Sequence, residues 1–553
     1  MTRGLFSATL GAVILCGFSC VGQTQSVPTE PVSHPVFPTG NGTPLGAQIA
    51  DLLGDPGVSR AHWGIAVMAT DGTPIYGFDE GKFFRPASNA KLFTTAAAMA
   101  LLGPDVRVTT RVAAAIDLNH LQAGGVIPGD LLFAGFGDAN ISDRTIPYES
   151  PAARKQREAA GQALPPAPPL QKIGELATEL ADRGVRHITG NVVGGDTVWP
   201  WEPYPNDWTI DDAVWGYGAP VSALTINDNQ IELTVTPAAT AGAPATITMK
   251  PDIGYYQISG TIKTVVSEKD ASVGIDRAPG SKTLQLSGSI AVGHPDTEEI
   301  AIQDPAEFAA IALKKALEAQ GVQVDGKAIA RHAASSEPES FSKISRTPIE
   351  LVWKAPHQVC DFAFECDGYQ GKTLVTISSP TLAEDVMVTL KVSQNLHAEL
   401  LLHRLGKAYT GDGSTAQGAR VVRQFLLNAG LDGDDFVFYD GSGLSGHDLV
   451  TPRATAQLLA YAIKQPWFAQ WKAALPVGGE DGTLSSRFPD APLKDHLFAK
   501  TGTLGESRGL SGYVDTASGK QVIFSIFVDD HAPNGSKDRE VMDKIVAAIA
   551  ANN

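Results

Sequence analysis

Apolar residues recur along this chain with two different periods. Residues 62–69 and 75–78 are apolar runs with an alternating pattern, and turn-forming residues at 71–74 separate them. This pattern predicts a β-hairpin. Residues 92–102 form a longer apolar run that ends at Gly103, as expected of a buried helix with a glycine after its last turn.

The last third of the chain repeats both patterns. Helical periodicity predicts helices at 396–405, 415–429, 452–463 and 538–550. Thr451 and Pro452 provide the N-cap and first position of the third of these helices. Alternating runs predict strands at 498–503, 509–514 and 521–528. The sequence therefore predicts an antiparallel sheet covered by helices, an α/β (α+β) fold.

A long segment separates the first helix from these later elements. Residues 109–372 contain β-like stretches broken by Gly, Pro and Asn turns, with predicted helices at 170–183 and 306–319 and predicted loops at 150–169 and 332–346. We expect one catalytic domain, residues 44–108 plus 373–553, interrupted by this inserted accessory region of two domains.

The N-terminal residues have the composition of an export signal. A charged start and an apolar run with small residues at its end predict a signal peptide over residues 1–22. Residues 23–43, rich in Pro, Thr, Gly and Ser, predict a linker. The expected location is the periplasm. Cys20 is an alternative lipidation site, the one route by which we expect a membrane anchor.

Composition narrows the classes of function. The chain has 553 residues, 43 % of them hydrophobic, and a formal net charge of −17. Without a concentrated basic patch, a nucleic-acid partner is not expected.

Two cysteines, Cys360 and Cys366, follow the predicted signal peptide. In an exported protein such a pair predicts a short-loop disulfide. Two buried thiols are the alternative, and a zinc site lacks the required spacing.

Three short motifs carry the candidate chemistry. Ser88 and Lys91 are spaced i, i+3 at the start of the first helix, so both side chains share one face. Ser393 and Asn395 open a later helix, and Lys500 begins a Lys-Thr-Gly sequence on a predicted strand. In this order, the motifs are typical of a penicillin-interacting serine peptidase.

Each motif has an expected role in acyl transfer. Ser88 needs a base to remove its proton, and Lys91 can serve if burial and the cation of Lys500 keep it neutral. Ser393 is expected to relay a proton to the leaving amine, and Asn395 to hold the substrate amide and Lys91. The backbone N–H groups of Ser88 and Thr503 are the expected oxyanion hole. Thr501, Thr503 and Lys500 suit a substrate carboxylate.

Other matches compete with these motifs. Ser340 and Lys343 repeat the Ser-x-x-Lys spacing, but in a polar segment that we interpret as a solvated loop. Residues 441–446 match a dinucleotide fingerprint, yet no acidic residue follows at the required distance, which favours a tight turn. His397 and His403 are candidates for a Ser/His hydrolase. We interpret both as helix-face residues, because no Gly-x-Ser-x-Gly elbow is present.

The motifs and their flanks together resemble the class C low-molecular-mass penicillin-binding proteins, a family of D-alanyl-D-alanine carboxypeptidases and endopeptidases. Matching landmarks include residues 85–94, 217–224, 227–229, 440–445 and 481–484. The resemblance implies a penicillin-binding-protein/β-lactamase-like transpeptidase domain split by β-rich accessory domains. It also implies an acyl-serine intermediate, peptidoglycan stem peptides as substrates, β-lactams as covalent inhibitors, and neither metal nor organic cofactor. D-Ala-D-Ala termini and D-Ala–meso-diaminopimelate cross-links are the expected targets.

Specificity residues follow the family only in part. By resemblance, Asp212 and its aromatic neighbour Tyr217 recognise the amine of the third stem residue. Thr501, Gly502 and Thr503 are the other expected substrate-binding residues. The arginine and polar residue that relatives use for that side chain's carboxylate are Gly446 and Gly505 here. We hypothesise that Arg453 or Arg508 compensates.

Two further interpretations stay open from sequence. One is a β-lactamase or esterase of the same fold, which would release a penicilloyl adduct rapidly. The other is a catalytically silent peptidoglycan-binding or sensor protein, for which D-Ala would not be released.

Overall fold

The structure is a computed structural model that describes residues 35–164, 167–335, 339–352, 371–533 and 535–553. The predicted signal peptide, Cys20, and the pair Cys360 and Cys366 lie outside these residues. None of the helices it describes has the length and hydropathy of a membrane span.

A five-stranded antiparallel sheet organises the part of the molecule that carries the motifs. Its strands lie in the order Pro74–Phe78, His62–Ala69, Gln521–Asp529, Ser507–Asp515 and Leu497–Leu504. The predicted hairpin and the three predicted C-terminal strands are thereby confirmed. The Lys-Thr-Gly strand is at the end of this order, so it is an edge strand of the sheet.

Alternation along these strands directs side chains into two hydrophobic cores. Ala66 and Met68 pack into one core, whereas Ile65 and Val67 pack into the other. The first core is completed by the helices Ala90–Leu101, Leu382–Lys391, Asn395–Thr410, Thr415–Asn428, Pro452–Ile463 and Phe468–Ala473. The second is completed by Pro44–Leu53 and Lys537–Asn552. The predicted helices of the last third are confirmed, and the Thr451 hydroxyl accepts from Ala454 N as the predicted N-cap.

Strands within residues 109–372 form further sheets around a core of their own. One mixed sheet has the order Ala328–Ala333, Val192–Pro200, Leu131–Ala134, Thr109–Ala114 and Lys372–Ser378. Smaller sheets contain Asp296–Ala301, Gln230–Thr236 and Thr246–Lys250; Gln257–Gly260, Thr283–Ala291, Lys263–Val265 and Ser272–Asp276; and Gln323–Val324, His187–Ile188 and Val126–Ile127. Helices Gln171–Asp182 and Pro305–Ala319 pack on this core. Outside this region, Phe436–Val437 pairs with Leu449–Val450.

The two ends of the predicted insertion lie side by side. Strand Lys372–Ser378 pairs antiparallel with Thr109–Ala114, so the chain enters and leaves the accessory region through neighbouring strands. The division into domains itself stays a prediction.

Two predicted loops contain helices. Residues 150–169 include Pro151–Ala159, and residues 332–346 include Phe341–Arg346. The first helix has no buried residue, and the second buries only Ile344, so neither has the apolar stripe by which a helix is predicted.

Candidate active site

The chain that carries Ser88 makes a tight turn directly before a buried helix. Residues Ala87–Asn89 form a 3-10 turn that continues into Ala90–Leu101. Two glycines allow close approach to this turn. A Cβ on Gly443 would lie 1.8 Å from the Ala87 carbonyl oxygen, and a Cβ on Gly502 would lie 2.7 Å from that of Pro86. Glycine at these positions lets the Lys-Thr-Gly strand and the 441–446 turn reach the serine.

Lys91 lies fully buried behind Ser88. Its Nζ atom is 2.9 Å from Ser88 Oγ, 2.6 Å from Asn395 Oδ1 and 2.7 Å from the Ser442 carbonyl oxygen. The structure therefore brings the first two predicted motifs into direct contact. The Ser442 contact was not predicted, because it uses a backbone atom that leaves no pattern in the sequence.

Burial and nearby carboxylates have opposite effects on the pKa of Lys91. Burial lowers the pKa of Lys91 to about 8, although the carboxylates of Asp440, Glu399 and Asp448 act to raise it. Glu399 is itself buried, and burial together with Asp440 raises its pKa to about 8. The sequence predicts that Lys500 helps to keep Lys91 neutral. In the structure, burial is the cause.

The other two motifs meet across the cleft. Lys500 is fully buried, and its Nζ donates to Ser393 Oγ at 2.8 Å and to the Thr501 carbonyl at 2.8 Å. Burial, and then the positive charge of Lys91, lower the pKa of Lys500 well below its usual value. Both effects act against the ammonium form of Lys500, because two amines share one dry site.

Residues expected to bind substrate lie along the same strand. Thr501 Oγ1 is 2.7 Å from Thr483 Oγ1, and Thr503 is exposed. Thr483 belongs to a turn fixed by the buried ion pair of Lys391 and Asp481, 2.6 Å apart. A stable hydroxyl pair therefore lines the strand next to Lys500.

Asp212 and Tyr217 lie at the mouth of the cleft. The Tyr217 hydroxyl donates to Asp212 Oδ1 at 3.0 Å, and its backbone carbonyl accepts from Asn395 Nδ2 at 2.8 Å. Burial, then the nearby carboxylate of Asp212, raise the pKa of Tyr217 to about 12, so the hydroxyl keeps its proton. Tyr217 thus contacts the Asn395 amide directly, and Asp212 is linked to it through Tyr217.

The two arginines suggested as replacements are paired with other carboxylates. Arg453 binds Asp435 with two contacts of 2.6 Å. Arg508 pairs with Asp538 and also donates to the Gly535 carbonyl at 3.0 Å. These contacts do not support a role in recognising a substrate carboxylate.

The competing motifs have structural explanations. Lys343 forms an ion pair with Glu339. Ser340 precedes a short helix, and its Oγ atom is 3.5 Å from Ser342 Oγ. Residues 441–446 form the predicted tight turn. It closes around Asp440, whose carboxylate accepts from the backbone N–H groups of Ser442, Gly443 and Ser445.

The two helix histidines are buried and partnered. His397 lies between Asp385 and Asp228, and His403 Nδ1 is 2.5 Å from the Gly413 carbonyl oxygen. Both side chains are engaged in structural contacts, as the helix-face interpretation predicts.

A family model covers nearly the whole chain. The model of the D-Ala-D-Ala carboxypeptidase 3 (S13) family matches residues 45–354 and 365–552. A D-alanyl-D-alanine carboxypeptidase of Actinomadura sp. (strain R39) is 30 % identical over 521 residues, which cover 92 % of this chain and 85 % of that protein. The penicillin-sensitive carboxypeptidase A of Dictyostelium discoideum is 25 % identical and covers 86 % of this chain and 84 % of its own length.

Solved structures share the fold. The crystal structure of penicillin binding protein 4 (dacB) from Haemophilus influenzae superposes with a TM-score of 0.70 at 21 % identity, covering 90 % of this chain and 97 % of that one. The same protein complexed with a β-lactam gives a TM-score of 0.67 at 20 % identity, covering 91 % and 99 %.

Proposed function

Since the chain belongs to the D-Ala-D-Ala carboxypeptidase 3 (S13) family and is a serine peptidase that acts on peptidoglycan, we propose that Ser88 is its nucleophile. Lys91 is the base, and Ser393, Asn395 and Lys500 complete the catalytic group. The substrates are stem peptides that end in D-Ala-D-Ala, and cross-links in which D-Ala is joined to the side chain of diaminopimelate.

The contacts of Lys91 carry this proposal. A neutral lysine has two N–H groups and one lone pair. The Asn395 amide oxygen and the Ser442 carbonyl can only accept hydrogen bonds, so they take the two N–H groups. The lone pair is then left for the hydroxyl of Ser88, 2.9 Å away. This arrangement is the one that general-base catalysis requires.

Substrate binding favours the reactive charge state. A terminal carboxylate beside Lys500 and Thr501 would favour the ammonium form of Lys500, because opposite charges stabilise each other in a buried site. A charged Lys500 in turn favours a neutral Lys91. The substrate therefore helps to prepare the base that attacks it.

The proposed reaction has two steps. Ser88 Oγ bonds to the carbonyl carbon of the penultimate D-Ala, its proton passes to Lys91, and the backbone N–H groups of Ser88 and Thr503 hold the oxyanion. The C–N bond breaks as Ser393 relays the proton held by Lys91 to the leaving amine, so Lys91 is neutral again and Ser393 keeps its hydroxyl. Water then attacks the acyl-serine ester, and Ser88 regains its proton. Asn395 holds the substrate amide throughout.

Intact-mass measurement after incubation with benzylpenicillin tests the assignment. A β-lactam in complex with the H. influenzae relative supports the choice of probe. We expect one penicilloyl adduct on the wild type and none on Ser88→Ala. An adduct that persists in Ser88→Ala, or none on the wild type, would contradict the proposal. Rapid loss of the adduct would favour the β-lactamase alternative, and absence of D-Ala release from a pentapeptide would favour the silent binding protein.

Export and processing belong to the same proposal. Because peptidoglycan lies outside the cytoplasm, the enzyme acts there. We propose that residues 1–22 are a signal peptide, that the mature protein is periplasmic, with lipidation of Cys20 as the alternative, and that Cys360 and Cys366 form a disulfide. Mass spectrometry of the mature protein, with and without reduction before thiol alkylation, distinguishes these outcomes.

The division into domains is also proposed. Residues 44–108 plus 373–553 form the catalytic domain, and residues 109–372 form the accessory region. The neighbouring strands Thr109–Ala114 and Lys372–Ser378 support this division, because they provide one place of entry and exit. Limited proteolysis should cut between these two parts before it cuts within them.

A further inference from the structure

The side chain of Asp228 reaches the Ser393-x-Asn395 motif from a distant part of the sequence. Asp228 Oδ2 accepts from Gln394 Nε2 at 3.1 Å, and Asp228 Oδ1 is 3.2 Å from His397 Nε2. Gln394 precedes Asn395 and His397 follows it by two residues, so one carboxylate holds the chain on both sides of the catalytic amide.

A second contact comes from the same segment of chain. The carbonyl of Tyr217 accepts from Asn395 Nδ2 at 2.8 Å. The segment is held together by Asn229, which donates to the Pro220 carbonyl at 2.9 Å. Residues 217–229 therefore contact the motif and its flank at three residues, Gln394, Asn395 and His397.

The backbone at Asp228 is unusual. Asn227, Asp228 and Asn229 all have left-handed conformations, with φ values of 52°, 54° and 55°. Apart from glycine, Asn and Asp are the residues that tolerate this region best. Ser393 is also left-handed, at φ 62°. The two left-handed turns are thus joined by the contact between Asp228 and Gln394. Such backbone strain persists only where the surrounding contacts hold the backbone in place.

The carboxylate is held firmly as an anion. Asp228 is buried and forms an ion pair with Arg144. His397 contacts Asp385 on its other nitrogen at 2.7 Å. Burial acts against the charged imidazole, but the two carboxylates outweigh it and raise the pKa of His397 to about 9. The network therefore runs from Arg144 through Asp228 and His397 to Asp385, whose second oxygen is 3.9 Å from Arg404 Nη1.

We infer that Asp228 is a positioning residue for acylation, which acts by fixing Gln394 and His397 and so holding Asn395 against Lys91. This inference rests on the proposed function and assigns to Asp228 a role in that site. Its loss would leave Lys91 without a fixed acceptor for one N–H group, and the lone pair would no longer be directed at Ser88. Misplacement of a catalytic group by about 1 Å can cost on the order of a hundredfold in rate.

Asp228→Asn in the full-length protein is the main test. We expect the rate constant for acylation by benzylpenicillin at saturation to fall at least about tenfold. Gln394→Glu keeps the shape of the side chain but places a second negative charge beside Asp228, so it should reduce the acylation rate by a comparable factor. Gln394 is not a member of the buried ion pair, so this variant leaves that pair intact. The matched control is Asp304→Asn. A second carboxylate–histidine–carboxylate group, separate from the Ser393-x-Asn395 motif, is formed by Asp304, His332 and Asp196. The acylation rate of Asp304→Asn should stay within twofold of wild type.

A double-mutant cycle with Asn395→Ala separates positioning from general damage. If Asp228 acts through Asn395, Asp228→Asn should cause little further loss in the Asn395→Ala background. An equal loss in both backgrounds, or acylation of Asp228→Asn and Gln394→Glu within twofold of wild type, would overturn the inference. If Asp228→Asn does not fold, Gln394→Glu decides alone. Failure of the wild type to acylate would instead refute the proposed function.

Discussion

Lys91 Nζ lies 2.9 Å from Ser88 Oγ, and the lysine has no exposed surface. The two residues are separated by one helical turn, so the contact is set by local backbone geometry. Burial lowers the pKa of Lys91 to about 8. The proposed base is therefore available near neutral pH without any contribution from a catalytic histidine.

The first prediction concerns pH. Because only the neutral amine can accept the Ser88 proton, the acylation rate should rise with pH and level off above about 8. Well below this midpoint it should fall roughly tenfold per pH unit. Stopped-flow or quenched measurements with benzylpenicillin at fixed ionic strength would record the profile.

Glu399→Gln provides the control for this profile. The pKa of Glu399 is also about 8, and its carboxylate form acts to raise the pKa of Lys91. In Glu399→Gln the rise with pH should therefore persist, with a midpoint no higher than in the wild type. A flat profile in the wild type, or a midpoint that moves upward in Glu399→Gln, would show that Lys91 is not the titrating base.

The second prediction compares two left-handed glycines. A Cβ on Gly443 would meet the Ala87 carbonyl oxygen at 1.8 Å, whereas a Cβ on Gly505 has nothing within 4 Å. Both substitutions by alanine incur the left-handed cost of about 1–2 kcal/mol. Gly443→Ala should also displace the turn before Ser88, so we expect a larger loss of stability and strongly reduced acylation. Denaturant unfolding and adduct formation would test both; similar acylation in the two variants would contradict the close-approach argument.

The third prediction concerns the buried ion pair beneath the Lys-Thr-Gly strand. Lys391 donates to both carboxylate oxygens of Asp481, at 2.7 and 2.6 Å. Lys391→Met leaves a buried, unpaired carboxylate and should lower the free energy of unfolding by about 3–5 kcal/mol. The double variant Lys391→Met/Asp481→Leu should be less destabilised than the single one. Equal denaturation midpoints for both variants would show that the pair is not the source of the cost.

The sequence predicted the parts of the site that depend on short spacing. Ser88 and Lys91 share a helix face, and Lys500 lies on a strand, so local periodicity was enough to place them. The predicted helix at 452–463 was confirmed with its Thr451 cap because caps also depend on neighbouring residues.

Contacts between distant segments could not be predicted in this way. The Ser442 carbonyl and the Asp228 carboxylate act through contacts with residues more than 160 positions away. Neither contact changes the pattern of hydrophobic positions along the chain. The lowered pKa of Lys500 could not be predicted for a related reason: burial and the distance between two amines are properties of the fold. The short helix Phe341–Arg346 buries one residue, too few to produce a helical period.

The last prediction tests recognition of the third stem residue. Asp212 is held by the Tyr217 hydroxyl at 3.0 Å and the Thr209 hydroxyl at 2.9 Å, so its carboxylate is oriented before a substrate arrives. Asp212→Asn removes the charge but keeps the shape. We expect kcat/KM for D-Ala release to fall about tenfold or more for a pentapeptide with lysine at the third position, because a charge-assisted hydrogen bond contributes about 1.5–3 kcal/mol. The same peptide with alanine there should be cleaved as by wild type, and benzylpenicillin acylation should not change. An equal fall in kcat/KM for both peptides would mean that Asp212 holds Tyr217 in place and does not recognise the side chain of the third residue.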